Sequence, residues 1–195
     1  MSAPQHPILI LIRGLPGSGK THLARALQQA IDEVRGDGSV VMLDPDAIDQ
    51  TGKAYTTLSE SLTADGIDPI YHPNRFLKQQ GYDAVDADKV IIWNQPFTLL
   101  DGFKRSFGAL QEHAAESHKE LAMLIVEVHV DPAVAKARIA ERVQAGGHGP
   151  SDGRFGRFID EYESYAFLGY PTVSVRGDGD VAEAVAVVMN EFKKL

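Results

Sequence analysis

Gly14-Leu15-Pro16-Gly17-Ser18-Gly19-Lys20-Thr21 satisfies the pattern G-x-x-x-x-G-K-[ST] at every fixed position. Each residue type has a physical reason. Glycines let the backbone bend so that successive N–H groups point at phosphate oxygens. A helix opening at Lys20 adds the partial positive charge of its N-terminus. The Lys20 ammonium suits the β- and γ-phosphates of a nucleoside triphosphate. The Thr21 hydroxyl suits Mg²⁺, which keeps waters and phosphate oxygens as its other ligands. All eight residues from Gly14 to Thr21 are expected to form the phosphate cradle.

The flanks agree. Ile8-Leu9-Ile10-Leu11-Ile12 is the continuous apolar run of a strand buried on both faces, and Arg13 ends it. After the glycines, Leu23, Ala24, Leu27, Ala30, Ile31 and Val34 form the stripe of a helix from Lys20 to Val34, closed by Gly36 and Gly38. Further strands are predicted at Val40–Leu43, Val90–Trp93, Leu121–Val130 and Thr172–Val175. Helices are predicted at Pro73–Ala87, Thr98–Ser117, Ala133–Gln144, from Ser151 or Asp152 to Leu168, and at Asp180–Phe192. Ala47 to Tyr71 has no strong period and reads as an insertion with one short helix. Strand–helix alternation of this kind implies an α/β three-layer sandwich with a five-stranded parallel sheet covered on both faces. No linker separates two domains, so residues 1–195 read as one domain.

Bulk properties narrow the class. The chain has 195 residues and no cysteine, so neither a disulfide framework nor a thiolate zinc site is available. Met1 to Pro7 lacks the basic start and cleavage site of a signal peptide. The five apolar residues that follow are too few to span a bilayer. A cytoplasmic protein without a membrane partner is expected. The net charge of −8 argues against a nucleic-acid backbone as the main partner.

Two further segments carry candidate chemistry. The second strand ends Asp44-Pro45-Asp46. A carboxylate beside the γ-phosphate would accept the proton of an attacking hydroxyl; an Asp here would also cap a short helix. With two acids, Asp46 is expected to activate the acceptor, with Asp44 in reserve. The third strand ends Trp93-Asn94-Gln95, without the acid that many ATPases and GTPases place there for Mg²⁺. Trp93 and Phe97 could stack on a flat or sugar-like substrate, and Asn94 and Gln95 could hydrogen-bond it; a core Trp before a polar turn is the alternative. Arg138 and Arg142 share one helix face. A Gly146-Gly147-His148-Gly149 segment follows, then Arg154 and Arg157. This helix–loop–helix, over about 138–157, has the form of a lid that closes arginines on a transferring phosphoryl group. The same spacing suits a solvated surface pairing with Glu141. Glu127 and His129 face one side of the fourth strand, where a buried acid needs a cationic partner, expected on a covering helix. Phe155, Phe158, Tyr162 and Tyr165 have helical spacing and read as packing.

The cradle, the Leu43-Asp44-Pro45-Asp46 segment and the Gly-Gly-His loop preceded by Arg138 and Arg142 resemble the zeta-toxin-like branch of the AAA-type P-loop small-molecule kinases. His72-Pro73-Asn74 also resembles that branch's His-Pro-Asn. The resemblance implies strand order 2-3-1-4-5 and an ATP- or GTP-dependent kinase with Mg²⁺. In that branch the acceptor is a UDP-linked amino sugar, and the second acid of Asp-x-Asp is the general base, here Asp46. The lid arginines fall on Arg138 and on Arg154 or Arg157, with His148 between them. An antitoxin-like protein partner is also implied. The third strand departs from the branch, which puts that sugar nucleotide in doubt. A polynucleotide 5′-end kinase and a nucleotide-binding regulatory protein without turnover are the alternatives.

Overall fold

The computed structural model describes residues 6–195. Residues 1–5, on which the expected lack of a signal peptide partly rests, lie outside the described residues.

β1 (Ile8–Gly14) is followed by α1 (Lys20–Arg35), β2 (Val40–Leu43), α2 (Lys53–Ala64), α3 (His72–Asp86) and β3 (Val90–Asn94). Then come α4 (Leu100–Glu116), β4 (Ala122–His129), α5 (Pro132–Gln144), α6 (Asp152–Asp160), β5 (Thr172–Arg176) and α7 (Val181–Phe192). All strand pairs are parallel, and the sheet order is β2-β3-β1-β4-β5. The expected three-layer architecture and strand order are both observed.

Alternation along β1 builds the layers. Ile8, Ile10 and Ile12 pack with Leu23, Leu27 and Ile31 of α1 and with Val188 and Phe192 of α7. Leu9 and Leu11 point to the other face, where α3 and α4 supply Leu77, Phe103, Phe107 and Leu110. Successive strand side chains face opposite ways, so a strand apolar at every position needs helices on both sides. Among the described residues, no helix is long and apolar enough to cross a membrane.

The structure corrects three sequence expectations. β1 does not stop at Ile12: Arg13 continues the strand and is completely buried. The insertion holds a full α-helix of 12 residues, α2, in which only Tyr55 is buried. A helix with so little buried surface leaves a weak apolar period. Helix α6 ends at Asp160 rather than Leu168; Tyr162 and Tyr165 lie beyond it.

Candidate active site

Register places the cradle at the carboxyl ends of the central strands. Ile12 of β1 is level with Asn94 at the end of β3, and Gly14 is level with Val128 of β4. Gly17 has φ 80° and Gly19 φ 95°. A Cβ at Gly17 would lie 2.4 Å from the Ala135 carbonyl oxygen, so both conformation and space require glycine. The cradle also meets the turn after β5: a Cβ at Gly177 would strike the Ser18 carbonyl at 1.7 Å.

Lys20 is buried, and its Nζ donates to the carbonyl oxygens of Gly14 (2.9 Å) and Leu15 (2.8 Å). Burial lowers its pKa from 10.5 to about 8, against the opposing pull of Asp44 and Asp46 and with a smaller push from Arg142. An anion in the cradle would raise it again. Arg138 is tied down as well. One of its guanidinium nitrogens donates to Gly177 O at 2.9 Å and Gly17 O at 3.4 Å, bridging α5, the cradle and the β5 turn.

Thr21, Asp44 and Asn94 form one unit. Asn94 Nδ2 donates to Asp44 Oδ2 (2.7 Å) and Thr21 Oγ1 (3.0 Å). Asp44 Oδ1 accepts from the Asp46 backbone N–H at 2.9 Å, capping the short turn Pro45–Ala47. Asp44 thus caps the turn and also lines the cleft. Asn94 Oδ1 is buried and has no partner. No three or more His, Cys, Asp or Glu side chains gather into a metal site among the described residues. A Mg²⁺ would fit only as a shared ligand, between the Thr21 hydroxyl, the Asp44 carboxylate and phosphate oxygens. Those are hard oxygen donors, which suits that ion. Asp44 and Asn94 thus stand beside Thr21 and also line the cleft in which an acceptor would lie.

Asp46 differs from Asp44. Its side chain is 77% exposed, and Oδ2 stands 3.7 Å from Nε2 of the equally exposed His148. The loop carrying His148 and the second acid thus meet at the lining of a cleft of about 1130 Å³. Lys20, Thr21, Asp44, Asp46, Arg138, Arg142, His148 and Arg154 all line it, as do Trp93, Asn94 and Gln95. Arg157 does not; it is exposed elsewhere on α6. Trp93 does two things: it is buried in the core, edge-on to Phe97 at 5.4 Å, and it lines the cleft. Its Nε1 donates to Gln95 Oε1 at 3.2 Å. His72 is buried between Ser59 Oγ (2.8 Å) and Ile67 O (3.0 Å), so it holds α2 to α3 and leaves only Asn74 of His-Pro-Asn in the cleft.

Sequence reasoning missed the group beneath the cleft. The Arg13 guanidinium lies between the rings of Tyr165 (3.5 Å) and Tyr162 (4.4 Å) and pairs with Glu127 at 2.8 Å. It also donates to the carbonyls of Glu163 and Phe97. Glu127 therefore finds its partner on the neighbouring strand, level with it, and not on a covering helix. The Phe97 carbonyl accepts a second bond from Tyr165 Oη at 2.7 Å, and Phe97 itself has φ 43°. This group fixes the loop at the foot of α4. The lone Arg between an apolar strand and the cradle was its only sequence signal. Arg75, Lys78 and Arg105 also line the cleft unannounced.

The family AAA_33, described as an AAA domain, matches residues 9–164. The chain belongs to that family. Among solved structures, this AAA_33 chain is similar to Kti12 from Chaetomium thermophilum in complex with ADP-AlF3. The identity is 16% and the TM-score 0.61, over 95% of this chain and 97% of that one. A gluconokinase from Sinorhizobium meliloti 1021 is 16% identical with a TM-score of 0.54, over 98% and 99%. The PezAT toxin–antitoxin system of Streptococcus pneumoniae gives 16% and 0.56, over 96% and 78%. These likenesses carry the fold, that of P-loop kinases. No curated protein matches the sequence.

Proposed function

We propose that this AAA_33 protein transfers the γ-phosphoryl group of ATP, or of GTP, to a hydroxyl of a small-molecule acceptor. The observation that carries this is the shape of the cleft. It runs from the cradle past the exposed carboxylate of Asp46 to a wall formed by α3 and α4. Its 1130 Å³ lies just above the range of about 300–1,000 Å³ common for one small ligand. A nucleotide switch has no need of that second half.

The roles follow from chemistry. The cradle amides and Lys20 bind the β- and γ-phosphates. Thr21 and Asp44, joined by Asn94, would hold Mg²⁺, which would neutralise charge on the phosphates. Asp46 accepts the acceptor's hydroxyl proton as that oxygen bonds to the γ-phosphorus; the bond to the β-phosphate bridging oxygen breaks and the diphosphate leaves. Arg138, Arg142 and Arg154 line the cleft and stabilise the transferring group, with α5, the glycine loop and α6 as the lid. Arg157 would join only after a rearrangement. The zeta-toxin-like branch stays within this reading through Asp44-Pro45-Asp46 and the lid. It would bring a nucleotide-sugar acceptor and an antitoxin-like partner.

The test is nucleotide turnover by wild type and Asp46→Asn with Mg²⁺-ATP and a pooled metabolite extract, with products read by mass spectrometry. A product made by wild type and lowered 10²- to 10⁴-fold in the variant, with nucleotide affinity kept, is expected. Nucleotide binding without product from either protein would favour a regulatory protein without turnover, a reading that Asn94 in place of an acid also supports.

A further inference from the structure

The α3–α4 wall carries three cations that phosphoryl transfer leaves unused. Arg75 and Lys78 come from α3 and Arg105 from α4, and all three line the cleft. Topology puts them there. Helix α3 runs back toward the start of β3, so its first turns stand at the carboxyl ends of the strands. Helix α4 leaves β3 at that same end. The two helices approach closely: a Cβ on Gly81 would lie 2.8 Å from Leu110 Cδ2. Arg75 and Lys78 are three apart and share one face of α3.

None of the three has a carboxylate within salt-bridge distance among the described residues. Most lysines and arginines of the chain share that lack, since among the described residues only Arg13, Lys119, Lys136, Arg176 and Lys194 meet acids. What sets these three apart is their gathering in one cleft, with Lys78 Nζ also 5.3 Å from the Tyr82 ring centroid. Seven Lys and Arg side chains line the cleft against two carboxylates, Asp44 and Asp46. Four of the seven sit on the cradle and lid side. The other three come from α3 and α4, and Leu77, Trp93 and Leu110 are among the apolar residues that line the same cleft.

We propose, resting on the kinase reading above, that the acceptor is itself an anion. It carries a phosphate or carboxylate group, held by Arg75, Lys78 and Arg105, besides the hydroxyl it presents to Asp46. With a neutral acceptor the repulsion among three like charges lining one cleft would go unanswered. An anion cancels that repulsion, and the arginine forks match phosphate or carboxylate oxygens in pairs.

Trp93, the only tryptophan of the chain, lines the cleft and reports its occupancy by fluorescence. With the cradle filled by Mg²⁺ and a non-hydrolysable ATP analogue, matched probes are titrated. These are uridine against UMP, glucose against glucose 6-phosphate for the phosphate arm, and glucose against gluconate for the carboxylate arm. At least one anionic probe is expected to bind ten-fold or more tightly than its neutral partner. In Arg75→Ala/Lys78→Ala/Arg105→Ala the preference disappears while affinity for the ATP analogue is kept. Arg105→Glu, a single exposed change, should weaken the same probe in the same direction. Equal affinity within every pair, or a preference that survives the triple variant, overturns the proposal. The titration needs no turnover, so the anionic subsite and the phosphotransfer reading fail separately.

Discussion

At the scale of single residues, two buried cations show opposite solutions. Lys20 is charged at a cost. The unfolded chain holds its proton up to about pH 10.5, the folded one only to about 8. Between those values the unfolded state binds more protons, so stability rises with pH; below about 8 both forms are protonated and the whole cost is felt. Lys20→Met removes that cost. The nucleotide-free variant should melt above wild type at pH 7, and the gap should close as pH rises from 8 to 10.5, while nucleotide affinity falls at least tenfold. Thermal melts from pH 6 to 11 read this directly; identical melting at pH 7 would mean that the Gly14 and Leu15 carbonyls fully compensate the charge. Arg13, by contrast, is enclosed by Glu127, two carbonyls and two rings. Burial pushes the Tyr162 phenol up to about 12, so it stays a neutral ring over the guanidinium. Arg13→Met strands the Glu127 carboxylate and is expected to cost about 3–5 kcal/mol in urea unfolding. The double variant Arg13→Met/Glu127→Met should recover most of it; a double as unstable as the single would place the loss in packing instead.

At the scale of elements, the lid is held less firmly than the sheet. Helices α5 and α6 contribute only Ala135, Ile139 and Phe155 to a separate small core, with Leu15 of the cradle and Val130 packed against it. A region with so few buried apolar contacts opens more readily than the rest. Gly149 lets the loop pass over this core, since a Cβ there would lie 2.6 Å from Ile139 Cγ2. Ile139→Ala should therefore cost about 2 kcal/mol locally. Hydrogen exchange should quicken in α5 and α6 while β1 and β4 stay protected. Uniform quickening across the sheet would show instead that the lid is part of the main core. The early end of α6 has a related cause. Beyond Asp160 the chain leaves the helix, and Glu163 to Tyr165 is recruited by Arg13 and Glu127: Tyr165 N–H donates to Glu127 Oε1 at 2.7 Å. Tertiary partners here outweigh a helical spacing of aromatic residues.

At the scale of the whole molecule, charge is segregated. An acidic protein keeps a cleft rich in arginine and lysine, so its field outside repels polyanions while the cleft draws small ones. That arrangement is the one expected for the compact anionic acceptor proposed above. The parallel sheet supports it by bringing the ends of β1, β2 and β3 to one edge, where ligands of such folds bind.

The sequence by itself determined the cradle, the alternation of strands and helices, and the two acids after β2. Each of these is local: glycine spacing, apolar period and a turn residue act within a few positions. Asn94 shows where locality ends. It meets Thr21 and Asp44 from 73 and 50 residues away, and only the order of strands in the sheet makes that meeting. The burial of Arg13, the end of α6 and the cationic wall have the same origin. A side chain's charge is written in the sequence; what faces it is decided by which strands pair and which helices cover them.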